Sequence, residues 1–406
     1  MSAGRLVIIG AGQAGLALAA RLRALNDTRP ITMLGAEDVA PYQRPPLSKK
    51  YLSGELPFDR LLLRGPEWFV ENAIDLRLSA FVEEIDRDAC QVTLQDGTSL
   101  DYDALVLATG ATPRTLPAEI GGDLAGVYVM RAKRDADRMA AEMKEGRRLL
   151  VIGGGYIGLE AAAVARTFGL DVTLIEMTDR ILKRVACADT AAILRDIHKG
   201  HGVTILENTG LKRLIGKDGR VTAAELSDGT VIDVDAVIVG IGVTANDELA
   251  GACGLDVGNG ILVDEFTRTS DPRILAVGDC TSLPWQGERV RLESVQNAID
   301  QAEAAAVVLS GQEIPYQAKP WFWSDQYDVK LQIAGFNLGF DETVVRPGAR
   351  PGSVSVWYFR QNRFVAVDAI NDAKAYAAGK RLLDQGRQPN RAVLADPDAD
   401  LKLLLA

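Results

Sequence analysis

The chain carries the same strand-turn-helix pattern twice, and this duplication restricts its fold more than any other feature. The first copy opens with RLVIIGAGQAG at residues 5–15, and the second opens with RLLVIGGGYIG at residues 148–158. In each copy an apolar strand runs into Gly-x-Gly-x-x-Gly and then into a helix rich in alanine and leucine. The first glycine of such a turn allows a tight bend, the second admits a pyrophosphate close to the backbone, and the third lets helix and strand pack closely. The six glycines are Gly10, Gly12, Gly15, Gly153, Gly155 and Gly158.

The two copies also continue and end alike. Each reaches a second strand followed by an acid, Glu37 after ITMLGA and Glu176 after VTLI. Residues 96–110 (DGTSLDYDALVLATG) and 228–242 (DGTVIDVDAVIVGIG) share seven of their fifteen residues. Two such fingerprints, each in the same strand and helix context, predict two dinucleotide sites and a transfer of electrons between them.

Composition sets the broad class. The chain has 406 residues, of which 47% are hydrophobic and 25% charged, as in an ordinary globular protein of two or three domains. No apolar run approaches the roughly 18 residues that a membrane helix needs, so no membrane partner is predicted. An early first strand leaves no room for a signal peptide, which predicts a cytoplasmic location. The net charge of −10 argues against a nucleic-acid partner, because phosphate contacts require basic surface.

The predicted fold class is α/β, with two Rossmann-like dinucleotide-binding domains arranged as in glutathione reductase and a C-terminal α+β domain. We expect a discontinuous FAD-binding domain at residues 1–115 and 246–320, an NAD-binding domain at 116–245 and the C-terminal domain at 321–406. Residues 353–359 and 364–370 alternate around a short polar turn and predict a hairpin.

Histidine and cysteine chemistry is limited. His198 and His201 have the H-x-x-H spacing of a metal pair, but no other histidine or cysteine is near, so we predict a solvated helix end and no metal. The four cysteines are scattered without a C-x-x-C motif, which favours small core or surface residues in a reducing compartment. They are Cys90, Cys187, Cys253 and Cys280.

Two acids indicate what each copy binds. Glu176 lies where an acid accepts hydrogen bonds from ribose hydroxyls, and it would repel a 2′-phosphate, so the second copy is predicted to select NADH over NADPH. The nearby Arg180 slightly opposes this preference. In TSDPRILAVGD, Asp279 follows a buried strand and a glycine and precedes a helix, a position that suits the polyol chain of a flavin.

With these motifs the chain resembles the FAD-dependent, NADH-linked reductases of the putidaredoxin reductase type. Such reductases feed [2Fe-2S] ferredoxins that serve cytochromes P450 and ring-hydroxylating dioxygenases. The resemblance rests on motifs spread over residues 10–326: GAGQAG, PYQRPPLSK, ATG at 108–110, GGGYIGLE, T-x6-AVGD at 269–279, RLESVQNA at 291–298 and PWFWSDQ at 320–326.

The resemblance implies roles for named residues. Relatives often carry aspartate where this chain has Ala36, so the ribose contact is expected to pass to Glu37 or to backbone. The implied FAD residues are Gly10, Gly12, Ala14, Gly15, Ala36, Glu37, Arg44, Lys49, Val82, Ala108, Thr109, Gly110, Arg131, Asp279, Val295 and Trp323. The implied NADH residues are Gly153, Gly155, Tyr156, Ile157, Gly158, Glu176 and Gly242.

Lys49 and Glu160 are implied to form an ion pair beside the flavin ring and are the predicted catalytic residues. A lysine cation there would stabilise the reduced, anionic ring, and the acid would position the lysine. The alternative is an exposed pair of little consequence. Tyr156 has two open interpretations, since it would either stack on the flavin and move when nicotinamide arrives or pack in a domain interface.

The predicted function is transfer of electrons from NADH through FAD to a [2Fe-2S] ferredoxin that supplies a P450 or other oxygenase, by a monomer or weak dimer. Because such carriers are typically acidic, we expect a local basic patch, formed by Arg289, Arg291, Lys330 and Lys374. The alternatives are an NADH oxidase or peroxidase, a disulfide-type reductase, or a non-catalytic NADH-responsive flavoprotein. The first group needs a redox cysteine after the first acid, and none lies between Glu37 and Cys90.

Overall fold

The computed structural model describes residues 4–404, so the first three and last two positions of the predicted domains lie outside it. Numbered along the chain, its α-helices are α1 Gln13–Ala24, α2 Pro66–Glu71, α3 Lys133–Ala140, α4 Tyr156–Thr167, α5 Ala188–Gly200, α6 Glu248–Ala252, α7 Val295–Leu309, α8 Ala373–Asp384 and α9 Arg391–Ala395. Short 3-10 helices span Pro45–Ser48, Phe58–Leu61, Ala118–Ile120 and Leu401–Leu404.

The strands are β1 Leu6–Ile9, β2 Ile31–Leu34, β3 Ile74–Arg77, β4 Val82–Asp86, β5 Gln91–Leu94, β6 Ser99–Asp101, β7 Ala104–Leu107, β8 Ala111–Pro113, β9 Val127–Tyr128, β10 Arg148–Ile152, β11 Asp171–Ile175, β12 Thr204–Leu206, β13 Leu211–Lys217, β14 Arg220–Leu226, β15 Val231–Asp233, β16 Ala236–Val239, β17 Val243–Ala245, β18 Val257–Gly258, β19 Gly260–Leu262, β20 Ile274–Ala276, β21 Thr281–Trp285, β22 Glu288–Val290, β23 Trp321–Gln326, β24 Val329–Gly335, β25 Glu342–Pro347, β26 Val354–Arg360 and β27 Arg363–Ile370.

The chain divides into two compact units, neither of which is one continuous stretch. Unit one consists of Met1–Gln43, Phe58–Thr112 and Val243–Pro320. Unit two consists of Arg44–Pro57, Pro113–Gly242 and Trp321–Ala406. The short segment Arg44–Pro57, which includes most of the PYQRPPLSK motif, thus leaves the first copy and packs within unit two. The division into three domains at the predicted boundaries stays a prediction.

Unit one is built on a parallel sheet in the order β20-β7-β1-β2-β3. Its strands β1, β7 and β20 are entirely apolar, and all their residues except the half-buried Ala104 are buried, as expected of a sheet covered on both faces. Helices α1 and α7 bury alanine and leucine side chains in the same core, among them Leu18 and Ala302. The antiparallel strands β4-β5-β6 form a separate sheet ahead of β7.

Unit two repeats this plan with a sheet in the order β12-β11-β10-β16-β9, again all parallel. The antiparallel strands β13-β14-β15 precede β16, as β4-β5-β6 precede β7 in the other unit. The strand beside β7 or β16 comes from a different part of the sequence in each unit. In unit one it is β20, which follows both copies, and in unit two it is β9, which precedes the second copy. The α/β class with two Rossmann-like sheets is therefore confirmed.

Unit two also contains a five-stranded antiparallel sheet, β23-β24-β27-β26-β25, covered by α8. The predicted hairpin corresponds to β26 and β27 and is confirmed. This sheet bonds to the start of α5, where Thr190 Oγ1 donates to Asp368 at 2.7 Å and the Cys187 backbone N–H donates to the Tyr358 hydroxyl at 3.1 Å. Within residues 4–404, none of the helices combines the length and the apolar character required to cross a bilayer.

Candidate functional site

The first glycine turn, between β1 and α1, leaves open space only at its middle glycine. Gly10 has a φ of +119°, and a Cβ there would lie 2.1 Å from the carbonyl oxygen of Ala108. A Cβ on Gly15 would lie 2.1 Å from the carbonyl oxygen of Gly10, whereas one on Gly12 would meet nothing within 4 Å. Gly12 is the N-cap of α1, and no side chain caps that helix. Free N–H groups thus face open space, as a pyrophosphate requires.

The second glycine turn, between β10 and α4, repeats this geometry. Gly153 has a φ of +102°, and a Cβ there would lie 2.4 Å from the carbonyl oxygen of Gly240. A Cβ on Gly158 would lie 2.2 Å from the carbonyl oxygen of Gly153, and one on Gly155 would meet nothing within 4 Å. Gly155 caps α4 without a side-chain hydrogen bond. We call the two turns the first and second cradle.

In unit one, the other predicted FAD residues follow the carboxyl ends of neighbouring strands. The backbone N–H of Ala108 donates to Ile9 at 2.8 Å, and that of Val277 donates to Leu107 at 2.9 Å, which continues the β1, β7 and β20 pairing by one residue. Ligands of open α/β sheets bind outside this edge. The residues that follow these three strands there are Gly10, Ala108, Thr109, Gly110 and Asp279.

The remaining unit-one predictions lie on defined elements. Val82 is buried at the start of β4, and Val295 is the first residue of α7, behind the N-cap Ser294. Thr109 Oγ1 donates to the carbonyl of Asn246 at 2.7 Å, which fixes that side chain.

The two predicted ribose acids do not occupy equivalent positions. Strands β2 and β11 end at Leu34 and Ile175, and each of these carbonyls accepts a hydrogen bond from the first glycine of its cradle, at 2.8 and 2.9 Å. Glu176, directly after β11, therefore corresponds to Gly35. A Cβ on Gly35 would lie 2.8 Å from the Cβ of Ala11, so the first copy has no room for a side chain there.

Glu37 lies two positions farther along than Glu176 in this register. The Tyr42 hydroxyl donates to its carboxylate at 2.7 Å, and Glu37 is half-buried. Ala36 is exposed, and its side chain has no polar group. A loop residue, Tyr42, thus helps to hold the acid of the first copy.

Glu176, in contrast, is held by its cradle. The backbone N–H of Gly154 donates to one carboxylate oxygen at 2.8 Å, and the N–H and hydroxyl of Thr178 donate to the other at 2.8 Å. Arg180 is directed elsewhere, with its guanidinium 3.4 Å from the carbonyls of Ile181 and Cys187. Its predicted opposition to NADH selectivity is correspondingly weak.

The predicted catalytic pair is formed within unit two. Lys49 Nζ lies 2.6 Å from Glu160, and their side chains are only 17% and 6% exposed. The exposed-pair alternative therefore does not describe this pair. Ser48 donates to the same carboxylate oxygen at 3.1 Å, and Ser324 donates to the other at 2.7 Å. Sequence reasoning missed both serines.

Three other predicted flavin residues, Arg44, Arg131 and Trp323, lie in the same unit. Arg44 donates to the carbonyl of Arg131 at 2.9 Å. Trp323 is half-buried on β23, with its ring 5.5 Å from that of Trp321. Their roles toward FAD stay predictions.

Tyr156 opens α4 and packs on Phe322, with ring centroids 5.0 Å apart. Its hydroxyl is buried and forms no hydrogen bond with the described residues, 4–404. Burial raises the pKa of Tyr156 well above its ordinary value. Ile157, beside it, is 45% exposed, and Gly242 follows the carboxyl end of β16 as Gly110 follows that of β7.

The prediction of a solvated H-x-x-H helix end is wrong for His198. This residue is fully buried, because it falls on the apolar face of α5 that also carries Thr190, Ala191 and Leu194. That helical spacing is visible in the sequence and was the signal available. His201 is exposed.

The four cysteines differ in their surroundings, and the Arg273 guanidinium donates to Cys90 Sγ at 2.6 Å. Cys187 and Cys280 are buried, Cys90 and Cys253 are half-buried, and all four are free. Burial raises the pKa of Cys280, which opposes the thiolate that disulfide chemistry needs.

The four residues of the predicted basic patch differ in exposure. Arg289, Lys330 and Lys374 are exposed. The Arg291 side chain is only 12% exposed and pairs with Glu293 at 2.6 Å, so its charge is largely neutralised.

Comparison with known families covers nearly all of the chain. Residues 4–302 match the pyridine nucleotide-disulphide oxidoreductase family, and residues 321–405 match the reductase C-terminal family.

Individual relatives are similar over nearly their whole lengths. The chain is 43% identical to rhodocoxin reductase from Rhodococcus erythropolis, covering 99% of this chain and 94% of that one. It is 41% identical to the ferredoxin–NAD(+) reductase component of the anthranilate 1,2-dioxygenase system of Burkholderia cepacia, covering both chains completely. The fold matches the reductase in a crystal structure of the covalent putidaredoxin reductase–putidaredoxin complex with a TM-score of 0.95 and 39% identity, over 99% of this chain and 98% of that one.

Proposed function

Because the chain belongs to the pyridine nucleotide-disulphide oxidoreductase family, we propose that it is an NADH-dependent reductase that passes electrons through FAD to a [2Fe-2S] ferredoxin. The ferredoxin in turn supplies a cytochrome P450 or another oxygenase. The observation that carries the proposal is the pair of matched open cradles in a chain that has no cysteine between Glu37 and Cys90. The full-length ferredoxin reductase relatives support the same conclusion.

The first cradle and the strand ends beside it fit FAD. The open space at Gly12 admits a pyrophosphate, Glu37 is available to an adenosine ribose, and Asp279 lies at the same sheet edge for the ribityl chain. When bound, FAD accepts two electrons from NADH and releases them singly, as a [2Fe-2S] centre requires.

The second cradle fits NADH. The carboxylate of Glu176 is oriented by Gly154 and Thr178 and keeps lone pairs for the ribose hydroxyls. A 2′-phosphate would meet this anion, and the nearby Arg180 is engaged with backbone carbonyls. We therefore assign NADH rather than NADPH.

Lys49 acts as the catalytic cation. Its ammonium would supply positive charge to a flavin that becomes negatively charged on reduction, and Glu160 holds the ammonium in position. No protein acid or base is needed to move a hydride between nucleotides that are held in place.

We also propose a cytoplasmic location, where NADH is supplied and four free cysteines stay reduced. The protein is proposed to act as a monomer or weak dimer.

The test follows the flavin absorbance of the purified protein as NADH is added without oxygen, then adds a [2Fe-2S] ferredoxin and cytochrome c. Fast bleaching and cytochrome reduction that depends on the ferredoxin are expected. Turnover only with oxygen, peroxide or a disulfide would instead identify an oxidase, peroxidase or disulfide reductase. Bleaching without transfer to any ferredoxin would favour a non-catalytic NADH-responsive flavoprotein.

The role of the ion pair is tested by Lys49→Met. We expect flavin reduction by NADH to slow by about tenfold or more, because a buried charge partner is worth about 1.5–3 kcal/mol or above. An unchanged single-turnover rate would remove Lys49 from the mechanism.

A further inference from the structure

A continuous row of buried hydrogen bonds leads away from the Lys49–Glu160 pair to helix α5. Ser324 lies 2.7 Å from Glu160, Gln326 lies 3.0 Å from Ser324, and Gln326 lies 2.8 Å from His198. The row ends where the Tyr327 hydroxyl lies 3.2 Å from the second ring nitrogen of His198. Every atom in it belongs to unit two.

The direction of each hydrogen bond is set by the ionised carboxylate at one end. Glu160 pairs with a lysine, so its oxygens accept hydrogen bonds and cannot donate them. Ser324 must therefore donate its single hydroxyl proton to Glu160. With that proton used, Ser324 can only accept from Gln326, which must present its NH₂ group.

The same reasoning fixes the histidine. Since the NH₂ of Gln326 faces Ser324, its carbonyl oxygen faces His198, and Nε2 of the ring must carry the proton. Nδ1 is then an acceptor and receives the Tyr327 hydroxyl. All four hydrogen bonds thus donate toward Glu160, and bonds aligned in this way polarise one another.

The three intermediate side chains are almost completely removed from solvent. Ser324 and His198 are 0% exposed, and Gln326 is 1% exposed. If any of these side chains lost its partner, a buried polar atom would be left without a hydrogen bond. The hydrogen bonds of the row therefore have a single low-energy arrangement. The arrangement ends on the carboxylate that holds Lys49.

We propose that Ser324, Gln326 and His198 are positioning residues that hold Glu160, and through it Lys49, in the orientation required for flavin reduction. This inference rests on the proposed function, since it deepens the role of the same ion pair. It also gives the PWFWSDQ segment a task, because the buried side chains Ser324 and Gln326 alternate along β23 and direct their polar ends into the row.

The kinetic test uses a matched pair at the far end of the row. His198→Gln keeps an N–H donor at about the same distance from the backbone as Nε2, so it can still bond to Gln326. His198→Met fills a similar volume but has no donor. In anaerobic single-turnover reduction by NADH, we expect Ser324→Ala and His198→Met to lower the limiting rate about five- to tenfold, with NADH affinity changed less than about twofold. His198→Gln should recover most of the rate.

His201→Ala is the control, because His201 is exposed at the same helix end and is not part of the row. Its Nδ1 bonds to the carbonyl of Ile197 at 2.9 Å, and its ring stacks on Tyr327 with centroids 3.7 Å apart. This substitution should leave the rate unchanged. If His198 served only to fill space, flavin reduction would be faster in His198→Met than in His198→Gln. That result would overturn the proposal.

A second test does not depend on turnover. The chain has two histidines, so nitrogen-15 labelling of histidine gives two rings, and His201→Ala leaves one. We expect the remaining ring to carry its proton on Nε2, with Nδ1 unprotonated, and its shifts to change in Ser324→Ala. A proton on Nδ1 would contradict the derived order of donors.

The outcomes separate this inference from the proposed function. If Lys49→Met and Glu160→Gln slow flavin reduction but Ser324→Ala and His198→Met do not, the positioning role alone is wrong. If none of the four variants slows reduction, the assigned role of the ion pair is wrong as well.

Discussion

The two cradles share their glycine geometry and differ in the residues downstream of it. In both, a Cβ on the first or third glycine would collide with a carbonyl oxygen, and one on the second would meet open space. In the second copy an acid directly succeeds the strand, whereas Gly35 takes that place in the first copy, where Ala11 leaves no room for a side chain. In the proposed assignment, the glycines allow a dinucleotide to bind, and the residues after the second strand select which one.

The surroundings of the copies differ as well. The second copy carries an additional antiparallel sheet that bonds to both ends of its helix α5, through Asp368 at one end and Gln326 at the other. The first copy instead receives a late strand, β20, which adds Asp279 to its ligand edge.

The largest expected effect comes from the same substitution in each cradle. Gly12→Ala and Gly155→Ala should both fold, since the added methyl meets no protein atom, but each places a methyl where a pyrophosphate approaches. We expect Gly12→Ala to lose bound FAD, measured by flavin absorbance per protein. Gly155→Ala should keep its FAD and bind NADH about tenfold or more weakly. Exchanged outcomes would reverse the assignment of the two sites.

The next largest effect concerns Glu176, the acid directly after β11, which has Gly35 as its equivalent in the first copy. Glu176→Gln removes the charge that repels a 2′-phosphate and weakens the ribose hydrogen bonds by about 1.5–3 kcal/mol. The ratio of kcat/KM for NADH to that for NADPH should fall about tenfold or more. Glu37→Gln is the matched control and should leave this ratio unchanged.

A smaller effect distinguishes the two anchored ends of α5. Burial lowers the pKa of His198 to about 4 from 6.5, and burial raises the pKa of Asp368 to about 6 from 3.8. Between about pH 4 and 6, the unfolded chain holds a proton on His198 that the folded chain lacks, and the reverse is true of Asp368. Their contributions to the pH dependence of the unfolding free energy therefore cancel in this range.

When one of the two groups is removed, the pH dependence of the unfolding free energy reports the other group alone. Relative to the parent chain, Asp368→Asn should lose about 1.4 kcal/mol of stability per pH unit as the pH falls from 6 to 4, and His198→Gln should gain about as much. Urea unfolding at several pH values measures both slopes. Variant curves that run parallel to the parent would show that neither group is perturbed.

The smallest effect concerns exposed charge. Lys330→Ala and Lys374→Ala should each slow reduction of an acidic ferredoxin by about twofold at low salt, with less effect at high salt. Arg291→Ala should change the salt dependence less, because Glu293 already neutralises that arginine. Equal salt slopes in all variants and the parent would exclude steering by these residues.

Local patterns predicted the repeated features well. The strand-turn-helix starts, the matching ends of both copies and the C-terminal hairpin all depend on residues close together in sequence, so they could be predicted from it. Helix α9 was missed, since RAVLA is only five residues long and its N-cap Asn390 is a weak signal alone.

Other features depend on partners distant in sequence. Ser324, Gln326 and His198 belong to one row only because β23 packs against α4 and α5. The helical spacing of α5 indicates that His198 is buried, but its partner Gln326 could not be predicted from the sequence. The register that sets Gly35 against Glu176 likewise required the strand pairing.

The segment Arg44–Pro57 has a consequence for how such a protein can be divided or recombined. It belongs to unit two but is encoded ahead of most of unit one. A fragment that began at Pro113 would contain Glu160 without Lys49 and Ser48, leaving a buried anion with no cation. Exchange of the second copy between related proteins must therefore carry this upstream segment along. The two copies repeat one fold, but part of the first copy in sequence belongs to the unit that contains the second, so the two cannot be exchanged separately.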